Sequence, residues 1–331
     1  MPKKIFVTGG AGYVGSMLTP YFLEKGYHVK VFDTLYFGHK FLQKHKNLEI
    51  VEGDIRNSNQ IEKESEGYDT FVHLACISND ASYVLDEELS KTINYDAFEP
   101  MVVSAKKAGI KRFIYASTSS VYGVSEQKDV KEDHPLVPLT LYNKFKGLCE
   151  PILFKHTNST FEGVIFRPAT VCGYAPRLRL DLSVNILSNH AFFKNKITVF
   201  GGNQLRPNLN IKDYCDAVDL LINSETDKIK DQIFNVGYEN MSILDLAELV
   251  KSIYDKRYKK NIEIIRTDSN DNRSYHINSD KIKKQLNFIP SHSISDAINS
   301  LFNAFDDNKV PNSFENDIYF NVKRMQNLKV K

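Results

Sequence analysis

The stretch Thr8-Gly9-Gly10-Ala11-Gly12-Tyr13-Val14-Gly15 decides how the rest of the chain is read. It follows an apolar, β-branched run at 5–8 and opens a segment, 13–25, in which Val14, Leu18, Phe22 and Leu23 recur at helical spacing. In a strand–turn–helix junction of this kind Gly9 permits the tight reversal. Gly12 lets the backbone approach a pyrophosphate, and Gly15 lets the helix lie close to the strand. The helix start then presents unpaired N–H groups and the positive end of its dipole to phosphate. Residues 28–32 read as a second strand ending at Asp33, eighteen residues beyond Gly15, where a carboxylate accepts the hydroxyls of an adenosine ribose. An acidic group there repels a 2′-phosphate, and positions 34–37 hold no Arg or Lys, so the expected cofactor is NAD rather than NADP. Asp54, in Gly53-Asp54-Ile55, fits an adenine contact.

Working outward, 48–51, 70–74 and 112–115 read as further strands, and 89–108 reads as one long helix closed by Gly109. Strands separated by helices imply right-handed parallel crossovers. The expected fold class is α/β, a Rossmann-type doubly wound parallel sheet with a smaller C-terminal α/β substrate lobe. Beyond about residue 176 the pattern loosens. Ser242 with Asp245 caps a helix carrying Leu246, Leu249, Val250 and Ile253. A late strand is expected at 262–265, and short helices at 280–286 and 295–305. The expected division is 1–175 for the dinucleotide domain with the Tyr/Lys helix, 176–310 for the substrate lobe, and 311–331 for a polar tail.

Composition narrows the function classes. The 331 residues are 42% hydrophobic and 25% charged, which excludes a disordered or fibrous chain. Lys+Arg 43 against Asp+Glu 41 leaves +2, no footprint for nucleic acid or an anionic membrane, so neither is expected as a partner. Cys76, Cys149, Cys172 and Cys215 lack CxxC spacing, so no metal site and no disulfide framework is expected. The apolar run at 5–8 is too short for a signal peptide or a membrane span, and no other run approaches 18 apolar residues. The reading is a soluble, cytoplasmic protein.

Tyr142-Asn143-Lys144-Phe145-Lys146 sets a phenol and an ammonium four residues apart, which on a helix places them on one face a turn apart. A nearby cation favours the phenolate and moves a tyrosine from its usual value of about 10 toward the range of a general base. Upstream, 113–118 runs off the end of a parallel strand, where such sheets place ligands. Thr118 would offer its hydroxyl to the same substrate oxygen as Tyr142.

Taken in order, TGGAGYVGS at 8–16, GDI at 53–55, HLA at 73–75, the Asn94 helix and ASTSSVYG at 116–123 form a recognisable series. YNKFK at 142–146, RP at 167–168 and the 201–213 segment continue it. The series resembles the extended short-chain dehydrogenase/reductases of the NAD-dependent nucleotide-sugar epimerase/dehydratase family, over most of residues 4–290. The resemblance implies an enzyme whose lobe takes a nucleotide-diphosphate sugar, and a homodimer formed through two helices, here 89–108 and 142–157, with Pro151 inside the second. It assigns cofactor contacts to Gly9, Gly12, Tyr13, Val14, Gly15, Asp33, Asp54, Ile55, Leu74, Ala75, Tyr142 and Lys146. Tyr142 is the implied catalytic base toward a sugar hydroxyl, commonly at C4, as hydride leaves that carbon for NAD. Lys146 binds the nicotinamide ribose and tunes the phenol, and Thr118 holds the reacting oxygen. Arg206 and Arg273 sit in segments similar to the family's diphosphate and nucleotide contacts, where a rigid guanidinium fork suits phosphate.

Family members that go on to lose water or carbon dioxide carry an acidic residue one or two places after the catalytic hydroxyl. Those places are Ser119 and Ser120 here. Serine lacks a usable pKa for that proton transfer. C4 epimerisation or net C4 oxidation is therefore expected ahead of 4,6-dehydration or decarboxylation. The stretch 167–179 has Thr170 where the family often has Asn, and carries Arg177 and Arg179 before Asp181 and Asn185. Arg177, Arg179 and Asn185 are expected to contact substrate phosphate or sugar hydroxyls. With the polar segment 73–80, this stretch resembles a subgroup of surface-polysaccharide pathways that includes nucleotide-heptose C4 dehydrogenases, pointing to GDP-heptose. The alternatives are a nucleotide-sugar 4,6-dehydratase, a non-catalytic NAD(H)-sensing protein on the same fold, and an enzyme for a non-nucleotide alcohol. Sensors generally lose the tyrosine or lysine, and this chain keeps both; the paired arginines argue against an apolar substrate.

Overall fold

The computed structural model describes residues 3–78, 86–125, 127, 129–268, 274 and 276–330. Its first half runs β1 (Lys4–Thr8), α1 (Gly15–Glu24), β2 (His28–Asp33), β3 (Leu48–Glu52), α2 (Ser58–Ser65) and β4 (Thr70–His73). Then come α3 (Glu87–Lys91), a π-helical turn (Thr92–Asp96), α4 (Phe98–Lys107), β5 (Arg112–Ala116), α5 (Leu141–Lys155) and β6 (Glu162–Pro168). The second half continues with β7 (Thr170–Cys172), α6 (Ser183–Lys194), β8 (Lys196–Phe200), β9 (Leu205–Asn210), α7 (Ile211–Asn223), α8 (Thr226–Ile229) and β10 (Gln232–Val236). It closes with β11 (Glu239–Ser242), α9 (Ile243–Tyr258), β12 (Glu263–Thr267), α10 (Asp280–Leu286), α11 (Ile294–Asp306) and α12 (Asn321–Leu328).

Seven strands form one parallel sheet in the order β10-β6-β5-β4-β1-β2-β3. Such a sheet is covered by helices on both faces, and its strands are accordingly apolar without alternation. Ile5, Phe6 and Val7 are all fully buried, as are Phe113 and Ile114. On one face Phe6, Phe71 and Phe113 pack with α2, α4 and α5. On the other, Val7, Val31 and Phe166 pack with α1, α7 and α10.

One feature differs from the sequence reading. The helix expected at 89–108 is interrupted by the π turn, in which the buried Asn94 donates to Ile77 O at 3.0 Å and accepts from Ile77 N at 2.8 Å. A widened turn of this kind lets a side chain reach out of the helix to fix a neighbouring loop. The second half of the chain packs on the main sheet and also builds a core of its own. It supplies α7, β10 and α10 to the main sheet, while α6, β8, α9 and α11 build a separate core around Leu187, Val199, Val250 and Phe302. β11-β9-β7 and β12-β8 are small sheets beside it. The expected helix at 280–286 is found at those bounds, and Ser242 with Asp245 makes a reciprocal capping box at the start of α9.

Beneath the carboxyl ends of β5 and β6, Glu150 from α5 accepts from Arg167 Nε at 3.0 Å and Nη2 at 2.6 Å, and from Ser117 Oγ at 2.6 Å. Both charged side chains are 3% exposed. Removing one partner of a buried ion pair leaves an uncompensated charge, so Glu150→Ala should lower unfolding stability by about 3–5 kcal/mol in a urea titration. A loss below about 1 kcal/mol would contradict the pairing described here.

Candidate active site

The strand order reverses between β1 and β4, and their carboxyl ends flank a cavity of about 840 Å³. Open α/β sheets bind ligands at such a switch point. The glycine turn lies at its floor. Gly9 has φ +76°, and a Cβ there would stand 2.6 Å from Ala75 N. A Cβ on Gly15 would meet Gly10 Cα at 2.5 Å. Gly12 differs: among the described residues only Gly9 O, at 3.2 Å, would meet an added Cβ. The space before Gly12 belongs to the cavity, the cradle that a diphosphate requires.

Asp33 ends β2 at the wall of this cavity. Its carboxylate accepts from Ala11 N at 2.9 Å and Leu35 N at 2.8 Å. Burial raises its pKa, with those two amides and the Arg177 charge pulling the other way. Asp54 and Ile55 line the same region, but Asp54 is held by Arg56, whose Nη2 donates at 2.6 Å. Burial opposes ionisation of Asp54, yet the Arg56 bonds leave its pKa below the ordinary carboxylate value.

Tyr142 and Lys146 lie a turn apart on α5, and both line the cavity. Thr140 caps this helix by accepting from Asn143 N at 3.3 Å. Lys146 is 3% exposed; its Nζ donates to Ala116 O at 2.6 Å and lies 4.7 Å from the centre of the Tyr115 ring. An ammonium has three donors, so this carbonyl uses only one. Thr118 follows β5, its Oγ1 2.8 Å from Ser120 Oγ, which in turn reaches Asn143 Oδ1. His73, at the end of β4, pairs with Thr8 Oγ1 through Nδ1 at 2.8 Å. Burial, with the Lys146 charge second, holds its pKa well below the histidine value, so the ring is neutral.

The remaining predicted residues divide. Gly9, Gly12, Tyr13, Val14, Gly15, Leu74 and Ala75 are in the cavity wall, as are Arg177, Arg179 and Arg206. Tyr13 turns its hydroxyl away to Gly173 O at 2.6 Å. Asn185 is not in the wall: it is fully buried, accepting from Gly173 N and donating to Tyr13 Oη and Arg179 O, so it braces the loop that carries the arginines. Arg273 lies outside the described residues. Arg206 on β9 lines the cavity together with Phe200, Gln204 and His190. His190 stacks on Phe314, and burial together with Lys194 lowers its pKa to about 4.

No local pattern marks the last helix. Residues 311–331 read as a polar tail, yet Asn321, Val322 and Met325 of α12 line the cavity, and Arg324 Nε donates to Tyr36 O at 2.8 Å. Asn321 sits 243 residues from its partner Ser78, a distance no local pattern spans.

A glycine-turned switch point with a lysine and tyrosine facing it defines a dinucleotide-dependent oxidoreductase. The model of the NAD dependent epimerase/dehydratase family matches residues 5–237, and the chain belongs to that family. It is an NAD-dependent enzyme of the extended short-chain dehydrogenase/reductase type. It is 26% identical over 279 residues to UDP-glucose 4-epimerase of Lactobacillus helveticus, covering 76% of this chain and 82% of that protein. It is 29% identical over 269 residues to UDP-glucuronic acid decarboxylase 1 of Danio rerio, covering 77% of this chain and 62% of that one. Among solved structures, UDP-glucuronic acid 4-epimerase from Bacillus cereus, in complex with UDP-glucuronic acid and NAD, superposes with a TM-score of 0.81 at 26% identity. That match covers 92% of this chain and 99% of the other. No helix among the described residues is long and apolar enough to cross a membrane.

The glycines make separable predictions. Gly9→Ala places a side chain against backbone at positive φ and should cost about 1–3 kcal/mol of stability. Gly12→Ala should fold with only minor loss while weakening NAD binding at least about tenfold, read by calorimetric titration. Unchanged NAD affinity in Gly12→Ala would remove the diphosphate from this turn.

Proposed function

We propose that the protein oxidises a nucleotide-linked sugar at C4, as a C4 epimerase or a net C4 dehydrogenase. The observation that carries the reading is a single cavity shared by Thr118, Tyr142, Lys146, Gly12 and Asp33, with serines at 119 and 120. NAD, when bound, supplies the acceptor for the hydride that leaves C4. Gly12, Asp33 and the start of α1 would hold it, with Lys146 at the nicotinamide ribose. Tyr142 Oη takes the proton of the C4 hydroxyl, which the nearby ammonium favours by stabilising the phenolate. Thr118 Oγ1 holds the reacting oxygen so that its lone pair and the C4–H bond stay aligned. The sugar thus loses a hydride from carbon and a proton from oxygen, leaving a ketone.

Dehydration or decarboxylation would need a further proton carrier beside Thr118. Ser120 is instead spent on Thr118 and Asn143, and Ser119 is 1% exposed. Arg206, with Phe200 beside it, is the proposed anchor for the substrate's diphosphate and base. The segments at 73–80 and 167–179 support a surface-polysaccharide sugar, and GDP-heptose is the specific substrate we favour. α4 and α5 are the proposed faces of a homodimer.

The test is a panel of UDP-, dTDP- and GDP-linked sugars with product analysis by mass spectrometry and NMR. A C4 epimer or a 4-keto sugar with reduced cofactor is expected. Tyr142→Phe should lower kcat by about 10²–10⁴ while its unfolding midpoint in urea stays that of the wild type. Neither product nor reduced cofactor from any member of the panel would overturn the reading.

A further inference from the structure

Among the described residues, Lys146, Arg177 and Arg179 are buried cations in the wall of this cavity, and the proposed chemistry uses only Lys146. Arg177 and Arg179 come from the 176–181 loop and are 2% and 8% exposed. A buried guanidinium is stable only when its charge and its donors are met. Arg179 is partly met: Nε donates to Asp181 Oδ1 at 2.9 Å and Nη1 to Ser78 Oγ at 3.0 Å. Its Nη2 is buried with no partner. Arg177 is met less well. Its Nη2 donates to the neutral amide oxygen of Asn321, its plane lies over Phe37 at 3.6 Å from the ring centre, and its Nε is buried without a partner. Two guanidiniums thus share one bonded carboxylate, and Asp33, the other acid nearby, is already occupied by Ala11 and Leu35. Burial, and Arg179 next, lower the pKa of Arg177 to about 9, the mark of a cation short of an anion.

The position of the pair selects the anion. Arg177 N donates to Ser16 Oγ at 3.1 Å, which ties the loop to the first turn of α1, directly behind the glycines. Phe37 follows Asp33 at the ribose end, while Ser78 lies just past the end of β4. The loop that carries the two arginines is thus bonded to the helix that opens at the glycine turn, and both side chains share the cavity wall with those glycines, while Arg206 lies on β9. Asn321 locks the loop: Nδ2 donates to Ser78 Oγ at 2.9 Å, and its backbone N donates to Asp181 Oδ2 at 3.2 Å.

We propose that Arg177 and Arg179, braced by Asn321 of the last helix, close over the diphosphate of the dinucleotide and retain NAD(H) through turnover, rather than binding the sugar nucleotide. Two guanidiniums short of an anion, in the same wall as the glycine turn, supply the positive charge that the helix N-terminus alone gives a diphosphate only in part. A retained cofactor suits an epimerase, because the hydride must be returned in place. The proposal rests on NAD occupying this crevice.

The experiment compares wild type with Arg177→Met, Asn321→Ala and Arg206→Gln. Bound dinucleotide is quantified by mass spectrometry after gel filtration, and affinities for NAD, adenosine and UDP or GDP are measured by calorimetry. Wild type should keep dinucleotide through the column. Arg177→Met and Asn321→Ala should lose it and bind NAD at least about tenfold more weakly, with adenosine and nucleoside diphosphate affinity unchanged. Arg206→Gln should do the reverse. Asn321→Ala removes only an amide, so it reports even if Arg177→Met unfolds. If wild type binds NAD and these variants bind it equally well, or lose nucleoside diphosphate instead, the clasp is wrong and the cofactor site stands. If wild type binds no NAD, the cofactor site itself fails and the clasp with it.

Discussion

Two backbone segments meet at the carboxyl end of β1 at a separation that only hydrogen at Cα allows. Gly9 lies against Ala75 at the end of β4, and Gly15 lies against Gly10 across the turn. Because these contacts are backbone to backbone, no rotamer change can relieve a larger residue. They fix α1 on the sheet, place its N-terminus at the switch point, and leave Gly12 in the cavity wall. The site is organised around that fixed turn.

What the turn organises is an excess of buried positive charge. Lys146, Arg177 and Arg179 stand in one cavity wall, where Asp181 pairs with Arg179 and Asp33 is taken up by two backbone amides. In a low-dielectric crevice such charges attract an anion strongly and repel one another. The neutral His73 fits this setting, since a second cation beside Lys146 would be costly. An anionic ligand balances that field, and the NAD on which the enzyme depends carries such charge at its diphosphate.

The support beneath the site is polar as well. Glu150 joins Ser117, on the strand-end segment that carries Thr118, to Arg167 on β6, so the helix bearing Tyr142 and Lys146 is tied to two neighbouring strands. Lys146 adds a direct bond to Ala116 O. Buried, satisfied polar networks of this kind hold a geometry that apolar packing alone would leave looser.

The parts legible in the chain are those that depend on local spacing. The glycine turn, Asp33, the first strands, the Tyr142–Lys146 pair on one helix face and the capping box of Ser242 all follow from neighbours within a few turns, where period and backbone sterics leave little choice. Tertiary structure decided the rest. It returned β10 to the main sheet, opened a π turn so that Asn94 could grip Ile77, and withdrew Asn185 from the cavity to brace a loop. It also brought Arg177 beside Phe37 and Asn321, joining residues from three distant parts of the chain. Such contacts have no period. They form where charge and packing are balanced across the folded molecule, and a linear pattern holds no record of that balance.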